Sequence, residues 1–348
     1  MAKKLKVGIV GAGCIATTAH LPAYEKLKDI IEIVAIADIV PERAQAAAEK
    51  FGIPQYFASV EELLANTDVD YIDICTWTAD HAPVCIAAAK AGKHILCEKP
   101  LSATLEQGLE MEKAVREAGV QFMLAVVTRY GAEPMKMREL YEQGVFGEIY
   151  AAKTLYVRRR GTPGGWFTEK ALAGGGPVLD IGVHAIDRTW YLMDRPKPIS
   201  VSAETSYRIG DFQTKGVERW TPCGKGNGVF DTEDSATIFI RFEGGKTMMA
   251  EAAWAINGPE ANTTQIVGSK AGCTFAPLTI YGENEEGYLC EYKPEVEKND
   301  FFEEELKHFA ECINEGKTPI SPMEDALTIQ KILDAIYKSA ELHEEVKL

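Results

Sequence analysis

Apolar positions in the first 125 residues come as short β-branched runs separated by alanine-rich stretches with helical spacing. Val7-Gly8-Ile9-Val10 reads as a first strand and Ile31 to Ala37 as a second. Tyr71 to Cys75, His94 to Cys97 and Gln121 to Ala125 follow as three more. Between them Pro41 to Lys50, Ser59 to Ala65, His81 to Ala91 and Thr104 to Ala118 carry helical patterns. Two of these close on Ala-Gly, at Gly92 and Gly119, where glycine serves as the C-terminal cap. Strands alternating with helices predict βαβ units and a parallel, doubly wound α/β sheet of the Rossmann type.

After residue 127 the rhythm changes. Glu133 to Gln143 reads as one more helix. Long strand-like runs then cover Ile149 to Arg158, Ile199 to Tyr207, Ser235 to Phe242, Thr247 to Trp254 and Thr263 to Val267. Breaks such as Glu243-Gly244-Gly245-Lys246 suit hairpins, hence an antiparallel or mixed sheet. Val178 to Met193 reads as an inserted helix, and Phe301 to Asn314 and Met323 to Leu342 as closing helices. The expected division is a nucleotide-binding domain over residues 1–127 and an α+β domain with a large open mixed sheet over 128–348.

Composition narrows the function classes. Net charge is −15, from 37 basic and 52 acidic residues, which repels nucleic acid and anionic lipid. No run approaches the ~20 apolar residues of a membrane span. The basic start, Met1-Ala2-Lys3-Lys4-Leu5-Lys6, leads into a short apolar run broken by Gly8, Gly11 and Gly13, a strand and not a signal peptide. Eight scattered cysteines (14, 75, 85, 97, 223, 273, 290 and 312) form no CxxC pair, and suit reduced thiols in a cytoplasmic protein.

Four clusters carry candidate chemistry. Gly11-Ala12-Gly13-Cys14-Ile15-Ala16 fits G-x-G-x-x-A between a strand and a helix. Gly11 permits the turn, Gly13 lets a pyrophosphate approach the backbone, and Ala16 allows close packing. The helix N-terminus at Cys14 and Ile15 offers free N–H groups to the anion. Asp38, 25 residues beyond Gly13, ends the second strand. Its carboxylate can accept bonds from the adenosine ribose and repel a 2′-phosphate, favouring NAD, while nearby Arg43 leaves room for NADP. Asp38 reads equally as a charge at the N-terminus of the helix from Pro41. Glu98-Lys99-Pro100 follows a strand end, where Lys99 would reach the crevice and stabilise an alkoxide; it also reads as a solvated surface charge. Asp180 and His184, four apart behind Gly174-Gly175-Gly176, share a helix face with Asp187 and Tyr191 and suit proton transfer from an alcohol. A solvated ion pair and an Asp/His metal site are the other readings. The sequence supplies no further convincing ligands, so no metal is expected.

Together the motifs resemble the glucose–fructose oxidoreductase / inositol dehydrogenase (Gfo/Idh/MocA) family. The matching pieces are Gly11 to Ala16 with His20-Leu21-Pro22-Ala23, Ala91 to Pro100, Gly174 through Asp180 to His184, and Gly268-Ser269-Lys270-Ala271-Gly272. The resemblance implies a Rossmann domain, NAD or NADP, a sugar, cyclitol or glycoside substrate, and a homodimer or homotetramer through the C-terminal sheet. It implies Lys99 beside the nicotinamide and reacting hydroxyl, Asp180 orienting the substrate, and His184 as general base.

Many relatives carry Thr-Pro-Asn followed by His where this chain has Thr76-Trp77-Thr78-Ala79-Asp80-His81. Thr76 and His81 keep their places. Trp77 replaces the proline, to stack on a ring or to pack in the core. Cofactor contacts are therefore expected from Gly11, Gly13, Cys14, Ile15, Asp38, Thr76, Trp77, His81, Glu98 and Lys99. Substrate contacts are expected from Lys99, Asp180, His184, Arg129, Tyr130, Arg158 and Trp166. Alternation sends Arg158 and Arg160 to one face, and Trp166 precedes the Asp180 helix, where it could stack on a sugar. Packing or a solvated rim is the alternative for Arg129, Tyr130, Arg158 and Trp166. The leading expectation is reversible NAD-dependent alcohol oxidation. Its alternatives are glycoside cleavage by transient oxidation and elimination, and a non-catalytic NAD sensor, which would not need Lys99, Asp180 and His184 together.

Overall fold

The computed structural model describes residues 3–220 and 228–348. Strands β1 (Leu5–Val10), β2 (Ile31–Ala37), β3 (Gln55–Phe57), β4 (Tyr71–Ile74), β5 (His94–Glu98) and β6 (Phe122–Ala125) form one sheet, ordered β3-β2-β1-β4-β5-β6. All neighbouring pairs are parallel. The order reverses between β1 and β4, which leaves a crevice at the carboxyl ends of those strands. Residues of both pleat faces are buried, Val7 and Ile9 on one, Ile72 and Ile74 on the other, because helices cover both sides. β3 has no counterpart in the sequence reading. It is three residues long at the sheet edge, and Gln55 and Tyr56 face solvent.

Local chemistry sets the helix ends. The Ser59 hydroxyl accepts the Glu62 N–H at the start of Val60–Asn66, and Thr104 accepts the Gln107 N–H before Leu105–Ala118. Gly52 and Gly119 close their helices in the left-handed conformation.

The second sheet holds β7 (Ile149–Val157), β8 (Pro198–Ser206), β9 (Ser235–Phe242), β10 (Thr247–Ala253), β11 (Ala261–Gly268), β12 (Gly272–Phe275), β13 (Thr279–Glu283), β14 (Leu289–Tyr292) and β15 (Val346–Lys347). Its order is β14-β13-β12-β11-β7-β10-β9-β8-β15. β7 and β10 run parallel while the other pairs are antiparallel, so the sheet is mixed. The last four strands escaped the sequence reading. They are five residues or shorter, and β14 is largely exposed, so none carries a sustained alternating pattern.

Two expected helices open differently. Val178–Gly182 is a π-helical turn before the α-helix Val183–Leu192, and Ala16–His20 is another before Leu21–Lys26. A single wide turn leaves no imprint on apolar spacing, which explains why neither was foreseen. Val183, Ile186 and Trp190 pack against Ile238, Ile240, Met248 and Ile266 of the second sheet. The seven described cysteines are free thiols; Cys223 lies outside the described residues. Among the described residues no helix is long and apolar enough to cross a membrane.

The closing helices serve both sheets. Leu306, Phe309 and Ala310 of Phe301–Glu315 join the core that holds Val7, Ile9 and Tyr71. In Met323–Leu342, Met323, Ala326 and Leu327 pack with the first sheet, while Ile329, Ile332, Leu333 and Ile336 pack with the second. Phe309 is fully buried, its ring edge-on to Tyr71 at 5.5 Å. Phe309→Ala is expected to lower stability by about 3–5 kcal/mol, read by denaturant unfolding. A loss below about 1 kcal/mol would show that this helix contributes little to the first core.

Candidate active site

β1 delivers the glycine loop to the crevice. Gly11 has φ +100°, and a Cβ there would lie 2.5 Å from the Cys75 carbonyl oxygen, so the turn and the abutting end of β4 both demand glycine. Gly13 differs. A Cβ there would meet nothing nearer than that oxygen at 4.0 Å, so the protein's own packing does not require glycine. The space is left to whatever approaches the loop.

Asp38, nearly buried at the end of β2, accepts the Ala12 N–H through Oδ2 and the Val40 N–H through Oδ1, each at 2.8 Å. It therefore ties the glycine loop to the turn that leads into Pro41–Phe51. Each oxygen keeps another lone pair for a ligand hydroxyl. With Gly11, Gly13, Arg43, Ser59 and Trp77 it lines a groove of about 250 Å³.

A second cavity, about 470 Å³, is lined by Cys14, Ile15, Thr76, Trp77, Glu98, Lys99, Arg158, Trp166, Asp180 and His184. Trp220 and Phe302 also reach it, from segments that the sequence reading had not connected with a site. The two grooves share Cys75, Thr76 and Trp77 and so meet end to end.

Lys99 follows β5 from the first sheet, and Asp180 sits in the π-turn packed on the second. Lys99 Nζ donates to the Asp180 carbonyl at 2.7 Å and to its Oδ1 at 3.2 Å. The fully buried Trp254 donates from Nε1 to Asp180 Oδ2 at 2.9 Å. Both carboxylate oxygens are thus engaged, by Lys99 and Trp254. Trp254 was read only as the end of a strand run, and nothing in its neighbourhood in sequence signals this contact.

His184 reaches the cavity from one turn further on, while its Nδ1 is buried without a partner among the described residues. Burial first, and then the charges of Lys99, Arg188 and Arg158, hold its pKa well below the ordinary 6.5. The imidazole is accordingly neutral at neutral pH. Arg188 is itself buried, which pushes its pKa down to about 10. Its guanidinium donates to Thr264 Oγ1 at 3.3 Å and lies 4.2 Å from the Phe275 ring centre.

A buried carboxylate anchors this helix. Glu233 accepts the Gly176 N–H at 2.9 Å and the Val178 N–H at 3.2 Å, and Tyr337 Oη donates to it at 2.8 Å. A Cβ on Gly175 would fall 2.0 Å from Tyr337 Oη, and one on Gly176 2.2 Å from the Glu233 carbonyl oxygen. The glycines that lead the helix serve this close approach. Glu233 itself reads as an ordinary loop acid in sequence.

The structure does not bring every expected residue into the cavities. Arg129 is fully buried: its Nε and Nη2 donate to Asp187 and its Nη1 to Asp325, tying the His184 helix to Met323–Leu342. Tyr130 is buried and donates to Met123 Sδ at 3.3 Å. His81 is buried between two cavity loops, with Nδ1 2.8 Å from the Pro100 carbonyl oxygen and Nε2 3.3 Å from that of Thr76. Arg160 parts from Arg158 because the strand ends at Val157. Its guanidinium bonds Ile256, Asn257 and Thr214 instead.

Residues 5–126 match the model of the oxidoreductase family with an NAD-binding Rossmann fold. Residues 135–274 match the GFO/IDH/MocA C-terminal domain. The chain is 32% identical to a D-glucoside 3-dehydrogenase of Escherichia coli (strain K12), over 99% of this chain and 97% of that protein. It is 27% identical to a myo-inositol 2-dehydrogenase of Thermotoga maritima, over 99% and 98%. Among solved structures, a levoglucosan dehydrogenase in complex with NADH and levoglucosan superposes with a TM-score of 0.86, at 26% identity and 99% coverage of both chains.

The two loop glycines should separate under mutation. Gly13→Val is expected to keep wild-type thermal stability while weakening NAD binding by about tenfold or more, because its side chain fills the approach to the loop. Gly11→Ala should instead destabilise the fold by roughly 1–3 kcal/mol through its positive φ and its contact with β4. Thermal unfolding and calorimetric NAD titration of both variants distinguish the roles, and a folded Gly13→Val protein with undiminished affinity would refute them.

Proposed function

The chain belongs to the Gfo/Idh/MocA family of NAD-binding oxidoreductases, and from that premise we propose that it oxidises a hydroxyl-bearing carbon of a sugar, cyclitol or glycoside reversibly. The observation that carries the reading is the convergence of Lys99, Asp180 and His184 on one cavity that continues into the glycine-loop groove. Gly11, Gly13, Cys14, Ile15 and Asp38 would hold the pyrophosphate and adenosine ribose, with Thr76 and Trp77 at the junction. Asp38 favours NAD over NADP. When bound, NAD supplies the acceptor for the two electrons that leave the carbinol carbon.

His184 accepts the hydroxyl proton. Its neutral state at pH 7 makes it competent, and the cations around it oppose long retention of the proton. Lys99 donates a hydrogen bond to the oxygen as negative charge develops there. Asp180, held by Lys99 and Trp254, orients the ring from a fixed position. Arg158 and Trp166 supply the far wall of the cavity, with Trp166 stacked on Phe167 at 4.1 Å between ring centres. Mixing the protein with NAD and a panel of sugars, inositols and glycosides, and following absorbance of the reduced nicotinamide, tests the reading. Inactivity towards the whole panel would count against it.

The protein is further read as a cytoplasmic homodimer or homotetramer joined through the second sheet. Supporting this, Tyr150, Met249 and Tyr281 of β7, β10 and β13 are 40–51% exposed. Light scattering is expected to return a multiple of the chain mass, and a monomer at micromolar concentration would refute it.

His184→Ala should lower turnover by roughly 10²–10⁴-fold with NAD affinity nearly unchanged. The pH profile follows from the lowered pKa. The base loses its proton well below pH 6.5, so the rising limb of the rate lies on the acid side and this group adds no slope above it. That limb should vanish in the variant. Full activity with the same profile would place the base elsewhere.

A further inference from the structure

Beneath Lys99 lies a buried charge cluster that the proposed proton transfer does not use. His20 is fully buried, with Nδ1 at 2.8 Å from Asp73 Oδ2 and Nε2 at 2.9 Å from Glu98 Oε1. Both ring nitrogens face carboxylate oxygens, the arrangement of an imidazolium donating twice. Burial opposes that charge, but Asp73 and Cys75 outweigh it and hold the imidazole pKa well above 6.5. Asp73 accepts further bonds from Tyr24 Oη at 3.0 Å and Cys75 Sγ at 3.5 Å.

Glu98 is the only one of these three groups, His20, Asp73 and Glu98, that lines the 470 Å³ cavity. Its Oε2 accepts the Lys99 N–H at 3.0 Å, so both of its oxygens accept and neither donates. Two carboxylates around one imidazolium leave one net negative charge, and its cavity end is Glu98. Nearby Glu305 adds none. It is fully buried, neither of its oxygens has a hydrogen-bond partner among the described residues, and burial followed by the Glu98 charge pushes its pKa well above the carboxylate range. Lys99 and Asp180, on the same wall, offset each other.

We propose that Glu98, tethered by His20, sets the redox poise of the bound cofactor by favouring its oxidised form. The proposal rests on the reading that the nicotinamide end occupies the Lys99 cavity. An oxidised nicotinamide ring is cationic and the reduced ring is neutral. A carboxylate fixed at the wall therefore stabilises the first and scarcely affects the second. It lowers the midpoint potential of the bound couple and biases the protein towards reducing power held loosely and released as NADH. His20 is a positioning residue, since it touches neither cavity and acts through the carboxylate it holds.

The test measures both dissociation constants, NADH by its fluorescence and NAD by calorimetry. Glu98→Gln and Glu98→Ala should each raise the ratio of the NAD constant to the NADH constant by on the order of tenfold, because both remove the charge. Glu305→Gln removes a neutral group and should leave the ratio unchanged. Equal weakening of both cofactor forms in the Glu98 variants, or a ratio that Glu305→Gln moves as far, would overturn the proposal while leaving the cofactor site intact. A wild-type protein that binds neither form would overturn the site reading beneath it.

Discussion

The contact of Lys99 with Asp180 is the hinge of the molecule. One partner follows a strand of the nucleotide-binding sheet, and the other rides on a helix packed against the mixed sheet. The two meet on the wall of the larger cavity. That meeting is over-determined: Trp254 holds the second Asp180 oxygen, Glu233 and Tyr337 hold the helix start, and Arg129 locks the helix to the last one through Asp187 and Asp325. A bond between two exposed side chains would contribute little. Here burial and shared partners fix the geometry of the pair.

The surroundings divide by charge. Around His184 the nearby groups are cationic, and the imidazole stays neutral. Around His20 they are anionic, and the imidazole is charged. The two histidines are thus pushed in opposite directions by the company each keeps.

The parallel sheet was legible because its strands are short apolar runs separated by helical stretches that open at Ser59 and Thr104 and close at Gly92 and Gly119. The residues that line the two grooves were legible where they stand in short, ordered strings: Gly11 to Ile15, Glu98-Lys99 and Asp180 to His184. Trp254, Glu233 and Tyr337 were not legible. They make their contacts across 74, 57 and 104 residues of chain, with Asp180, Gly176 and Glu233, and a tryptophan at a strand end or an acid in a loop looks the same whatever it touches. Arg129 shows the converse error. Its place after β6 suggested a ligand contact, but its three charged bonds are all internal and structural.

The sharing of the closing helices has a consequence for how the polypeptide is made. Strand β6 ends at Ala125, yet the first core also contains Leu306, Phe309, Met323 and Leu327. When the whole parallel sheet has been made, the core on each of its faces still lacks these side chains, and roughly 180–200 residues remain before they arrive. Such long-range closure slows folding and leaves apolar surface open to capture in the interval. Both cores of the first sheet are therefore complete only when the closing helices fold back over it.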